Sequence, residues 1–169
     1  MFKKIMLSAA IVAAMGTTAV QAATSGTISF EGSIVDATCT VDTSANITQT
    51  VNLGKQDAGD FDGVGTTVGQ TPFSISLTDC NTDIDGASVT FSGDATTDGT
   101  LTTDNTTVGV EITQEDGTTV IPINQASAVI SKSPDNSILL NFNAAYKALA
   151  ATVTSGQANA QATATVNYN

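Results

Sequence analysis

Apolar and polar residues alternate with a period of two along most of the chain. In residues 70–80, QTPFSISLTDC, the side chains of Phe73, Ile75 and Leu77 share one face. GASVTFSG sets Val89 and Phe91 on one face, and TTVGVEITQ does the same with Val108, Val110 and Ile112. NSILLNFNAAYKAL alternates Ile138, Leu140, Phe142, Ala144 and Tyr146. Side chains that alternate in this way belong to β-strands with one buried face. No long stretch repeats with the 3.6-residue period of a helix, and Gly, Asp and Thr fill the intervals, as in DAGDFDGVG and SGDATTDGT. After the 108–112 run, Glu115-Asp116-Gly117 leads into TTVIPI, which predicts a hairpin with Asp-Gly supplying the positive φ of a tight turn. The pattern predicts an all-β chain folded as a sandwich of two sheets.

The two ends carry the most regular alternation. In GQANAQATATVNYN the even positions are Gly156, Ala158, Ala160, Ala162, Ala164, Val166 and Tyr168, and every odd position is Gln, Asn or Thr. This predicts a strand over residues 156–169 whose apolar face is too shallow to fill a core by itself. Near the other end, ATSGTISFEGSIV places Gly26, Ile28, Phe30, Gly32 and Ile34 on one face and Ser25, Thr27, Ser29, Glu31 and Ser33 on the other. That face is bulky. The two terminal segments are complementary in relief.

Composition narrows the function. MFKKIMLSAAIVAAMGTTAVQAA has a basic head at Lys3 and Lys4, a short apolar centre over residues 5–15 and a small-residue cleavage site after Ala22. It reads as a secretory signal over residues 1–22, because a membrane anchor needs about 20 apolar residues. The whole chain carries a net charge of −11, and loss of Lys3 and Lys4 makes it more negative still. Such a surface repels nucleic acid and anionic lipid and stays well hydrated. Cys39 and Cys80 are the only cysteines, 41 positions apart. In an exported chain an even count points to a disulfide rather than to free thiols or a metal site.

The chain has no histidine, arginine or tryptophan, so no Ser-His or Cys-His pair can form and the commonest general base is missing. The Asp-Gly-Thr runs at 98–100 and 116–118 suit turns and have the wrong order for an aspartic protease. DCNTDIDG sets Asn81, Asp83, Asp85 and Gly86 at spacings like the front of a calcium loop. Asn81 stands where such a loop opens with Asp, and Ser92 where it closes with Glu, so a solvated turn is the better reading. The sequons at Asn46 and Asn105 are expected from chance in a threonine-rich chain. No enzyme, cofactor or metal is implied.

Several short motifs, in order, resemble the type 1-like fimbrial subunits of the chaperone–usher pathway. They are GTISFEGSIVDATC running into the first cysteine, then TVNLGK, then PFSISLTDC ending in the second, then FNAAY. Gly156, fourteenth from the carboxyl terminus, and the penultimate Tyr168 complete the set. The resemblance spans essentially the whole chain after the signal. It implies an incomplete immunoglobulin-like β-sandwich over residues 35–169 that lacks its last strand, preceded by a donor-strand arm over residues 23–34. It also implies that Gly26, Ile28, Phe30, Gly32 and Ile34 enter the groove of a neighbouring subunit. Gly156, Ala162, Ala164, Val166 and Tyr168 would form the edge that a periplasmic chaperone and then that neighbour occupy. Only residues 23–25 precede Gly26, a short arm for this family. The implied partners are the chaperone, an outer-membrane usher and other pilin subunits, and the implied destination is an adhesive surface fimbria reached through the periplasm.

A monomeric secreted sandwich that binds carbohydrate is the alternative. Sugar-binding faces usually present exposed Trp or Tyr. Here the only candidates are Tyr146 and Tyr168, both in phase with apolar faces.

Overall fold

The computed structural model describes residues 39–41 and 49–169. The secretory signal, the arm carrying Gly26, Ile28, Phe30, Gly32 and Ile34, and the sequon at Asn46 lie outside the described residues.

Among the described residues eight strands follow one another, with a single 3-10 turn at Ala58–Asp60. They are β1 (Thr40–Val41), β2 (Thr67–Thr78), β3 (Gly86–Ser92), β4 (Leu101–Thr102), β5 (Val108–Gln114), β6 (Ile130–Ser131), β7 (Ile138–Ala148) and β8 (Thr163–Tyr168). One sheet has the order β1-β2-β7-β5-β4 and the other β6-β3-β8, with every pairing antiparallel. The sandwich expected from the alternation is present, and so are the four long strands read from it.

The inward phase of each strand fills the space between the sheets. Ile75 and Leu77 of β2, Val89 and Phe91 of β3, Val110 and Ile112 of β5, and Ile138, Leu140 and Phe142 of β7 are all buried. Phe73, Phe91 and Phe142 meet in the middle, with ring centroids 5.1 to 5.9 Å apart and two of the three pairs edge-to-face. Edge-to-face contact is favoured because the positive rim of one ring meets the negative face of another.

Local chemistry sets the strand limits. In β2 the register slips between Val68 and Thr71, where Gly69 takes φ +74°, and Gln56 packs against the space a side chain there would need. Pro72 is tolerated because, among the described residues, β1 covers β2 only at Leu77 and Thr78 and no strand pairs with that side of β2 at Pro72. The disulfide joins Cys39, just before β1, to Cys80, just after β2. On chain entropy alone, closing so long a loop is worth about 4 kcal/mol.

The hairpin after β5 is only partly realised. Gly117 takes φ +70°, and the Asp116 carboxylate accepts the N–H groups of Thr118 and Thr119. The returning arm makes one bridge, Thr113 to Val120, formed by bonds from Gln114 N–H to Thr119 C=O and from Ile121 N–H to Ile112 C=O. The next N–H in phase, that of Ile123, bonds Gly99 C=O instead of β5. The chain then crosses to the other sheet, where Asn124 and Ser127 N–H bond to Phe91 and Val89 C=O.

Candidate functional site

β8 is the edge of the three-stranded sheet, and among the described residues no strand pairs with its other side. Ala164, Val166 and Tyr168 face the core, half-buried, while Thr163, Thr165 and Asn167 face outward. The backbone orientation follows from β3. Val89 and Phe91 direct their carbonyls to Ser127 and Asn124, on the side away from β8. An antiparallel strand alternates which side its backbone groups address. Ser88, Thr90 and Ser92 therefore bond β8 through their partners Asn167, Thr165 and Thr163. The N–H and C=O groups of Ala164 and Val166 are left pointing at the open edge. Polar backbone groups beside apolar surface are satisfied only by water or by another strand.

That edge borders a cleft of about 1730 Å³. Its floor is the core face of the five-stranded sheet, including Phe73, Ile75, Ile112 and Tyr146. One wall is the TVNLGK stretch, where Val51 and Leu53 pack on the core. Gln56 steadies that wall through a bond from its Nε2 to Leu53 C=O at 2.7 Å, and Gln49 Nε2 reaches Ser74 C=O at 3.3 Å. The other wall is residues 153–164. Two walls, an apolar floor and an open strand edge leave room for one extended chain.

The second wall departs from the sequence expectation. The alternation predicts a strand from residue 156, but the ladder begins at Thr163. β3 ends at Ser92, and the chain turns toward β4, where Asp94 C=O accepts the Thr102 N–H. Residues 156–162 consequently have no neighbour from β3. Hydrogen bonds from the β4–β5 connection and β7 hold them and the preceding Thr154 instead. Asn105 Nδ2 donates to Thr154 C=O at 2.7 Å, Asp104 N–H to Asn159 C=O at 3.1 Å, and Tyr146 Oη to Ala158 C=O at 3.2 Å. The alternation still shows in the burial: Ala158 and Ala160 are half-buried while their odd neighbours are exposed.

The remaining sequence candidates fall as follows. Gly156 and Ala162 are exposed and line the cleft, outside β8. Asn105 of the second sequon is a structural bracket, since its Oδ1 accepts from the Thr107 N–H and hydroxyl while its Nδ2 holds Thr154. Asp98-Gly99 and Asp116-Gly117 lie on turns, both glycines having positive φ. At the calcium-like stretch, Asn81 Oδ1 accepts the Asp83 N–H, and the Lys132 ammonium bonds the Asn81 and Thr82 carbonyls. Gly86 belongs to β3 there. Tyr146 and Tyr168 are half-buried against the core, so neither offers an exposed platform for a sugar. Tyr146, Asn159 and the TVNLGK wall escaped the sequence reading as parts of one site, because their relation is purely spatial.

The model of the family described as fimbrial protein matches residues 28–169. The chain is 40% identical over 153 residues to the fimbrial subunit type 1 of Salmonella typhimurium, covering 85% of this chain and 82% of the other. It is similar to the crystal structure of a Burkholderia pseudomallei antigen and type I fimbria protein, with 34% identity, a TM-score of 0.60, and coverage of 79% of this chain and 91% of that one. A chain of a chaperone–usher pilus shares the fold at 18% identity, with a TM-score of 0.66 over 86% of this chain and 96% of that one.

Proposed function

The chain belongs to the fimbrial protein family, and from that premise we propose that its cleft receives the amino-terminal arm of a neighbouring copy. It is a type 1-like structural subunit, not an enzyme, and it polymerises with other pilin subunits into an extracellular fimbria. The observation that carries the proposal is the open edge of β8 beside an apolar floor. A strand added there gains backbone hydrogen bonds from the edge and burial from the floor. Strand complementation between chaperone and pilin is an established example of this binding mode, and what is proposed is its assignment to these residues.

Residues 23–34 supply a matching strand, with Ile28, Phe30 and Ile34 on one face. Burying each of these side chains is worth about 1.5–3 kcal/mol, and each backbone bond adds about 0.5–1.5 kcal/mol. Phe30 is the principal anchor, since it offers the largest apolar area. Before assembly the same edge needs a temporary occupant, because exposed apolar surface beside unpaired backbone aggregates. A periplasmic chaperone fills that role in this reading, and an outer-membrane usher exchanges it for the arm of the next subunit. Adhesion is then a property of the finished fibre.

The test is a peptide of residues 23–35 added to chaperone-held subunit. It should displace the chaperone and give a heat-resistant complex, and the same peptide carrying Phe30→Asp should fail because it buries an unpaired charge. If the peptide does not bind and deletion of residues 24–32 leaves fibres intact in electron micrographs, the proposal is wrong.

A further inference from the structure

One carbonyl on the cleft wall is already occupied. Tyr146 stands on the core-facing side of β7, and its hydroxyl reaches across the cleft to the Ala158 carbonyl oxygen at 3.2 Å. Ala158 shares the even phase of Ala164 and Val166, whose backbone groups address the open edge. Asn159 has the opposite phase and is held from behind. Its C=O accepts the Asp104 N–H, and its Nδ2 donates to the Asp104 carboxylate, each at 3.1 Å. The β4–β5 connection thus backs residues 156–162 as β3 backs residues 163–168. On the cleft side, where an incoming strand would present N–H groups, a side-chain hydroxyl stands in.

We propose that the Tyr146 hydroxyl is a placeholder. It holds the Ala158 carbonyl until the arm arrives and yields it to a backbone N–H of the incoming strand, so that Tyr146 controls the rate of strand capture at the Gly156 end. This rests on the strand-acceptance reading above. The hydroxyl sits at the end of a ring that packs on the core, so the contact can open without moving β7. Asp104 and Asn159 have the reverse effect: they hold residues 156–162 extended, and their loss slows capture.

Tyr146→Phe removes the hydroxyl and keeps the ring. Chaperone-held subunit with its disulfide intact is mixed with a fluorescent peptide of residues 23–35, and capture is followed with time. Tyr146→Phe should capture the peptide about two- to tenfold faster than the natural chain, the range set by losing one neutral hydrogen bond. Its thermal midpoint should stay within a few degrees, whereas a merely structural tyrosine would lower the midpoint without speeding capture. Asn159→Ala should capture more slowly. Equal or slower capture by Tyr146→Phe, with the natural chain capturing normally, overturns the placeholder and leaves strand acceptance standing. No capture by the natural chain overturns both. If Tyr146→Phe does not accumulate, peptides N-methylated at successive backbone positions are tested on the natural chain. A methyl at the position meeting Ala158 should slow capture most, and uniform rates along the peptide overturn the proposal.

Discussion

Phe91 of β3 stands directly opposite Ala164 of β8. Its ring also meets Phe73 and Phe142 at 5.9 and 5.1 Å, so the volume beside Ala164 is already filled from the β3 side. The same exchange of sizes recurs at the strand end, where Ala87 faces Tyr168. The alanine face of β8 is therefore shallow for two reasons: it yields to Phe91 on one side and leaves the cleft open on the other.

Ala164→Leu should separate these two roles. The added methylenes enter the cleft beside Phe91 and cost about 1–3 kcal/mol of folding stability, as overpacking usually does. They should reduce capture of the residue 23–35 peptide far more than that cost explains. Urea unfolding and peptide titration of the same preparation give both quantities, and full peptide capture would contradict the placement of Ala164 on the cleft wall.

Gly156→Val tests the rim. A Cβ at Gly156 meets only Asn105 Nδ2, at 3.7 Å, and its φ is not in the left-handed region. The subunit should fold with its urea midpoint nearly unchanged. Strand capture should fall, because the branched side chain stands where the incoming backbone passes. A lowered urea midpoint with unaffected capture would give this glycine a folding role instead.

Asp116 fixes the turn after β5. The Thr119 hydroxyl, then the N–H groups of Thr119 and Thr118, bond its carboxylate and hold its pKa down from 3.8 to about 2. The folded state favours the charged form, so its contribution is full above about pH 4 and fades as pH falls toward 2. An NMR titration of the Asp116 carboxyl carbon should show the low midpoint. Asp116→Ala should flatten the part of the acid-unfolding curve that lies between those values, and an Asp116 midpoint near 4 would contradict the turn described.

Glu111 and Lys147 form an ion pair on β5 and β7, with Glu111 buried and Lys147 partly open to water. Lys147→Met alone strands a buried carboxylate and should cost about 2–3 kcal/mol, less than for a fully enclosed pair because solvent still reaches the lysine. Adding Glu111→Gln should recover most of that loss. A double-mutant cycle by urea unfolding measures the coupling, and additive losses would show that the pair contributes nothing.

Much of this protein was legible in the sequence because period two is a local property. Phe73, Ile75 and Leu77, or Ile138, Leu140 and Phe142, had only to alternate for their strands and buried faces to follow. The Cys39–Cys80 bridge followed from an even count of two. The resemblance carried by TVNLGK, FNAAY, Gly156 and Tyr168 led to the right family.

Tertiary structure decided where alternation becomes a strand. Residues 156–169 alternate without interruption, yet only Thr163–Tyr168 joins a ladder, because a strand needs a neighbour and β3 turns away after Ser92. The arm after Gly117 was likewise expected to form a hairpin with β5, and the turning of Ile123 N–H to Gly99 C=O and of Asn124 N–H to Phe91 C=O cut it short. The contacts of Tyr146 with Ala158 and of Asp104 with Asn159 were invisible for the same reason. Side-chain periodicity is written residue by residue, whereas a hydrogen bond between distant segments depends on where two sheets bring them, and that is settled only when the core closes.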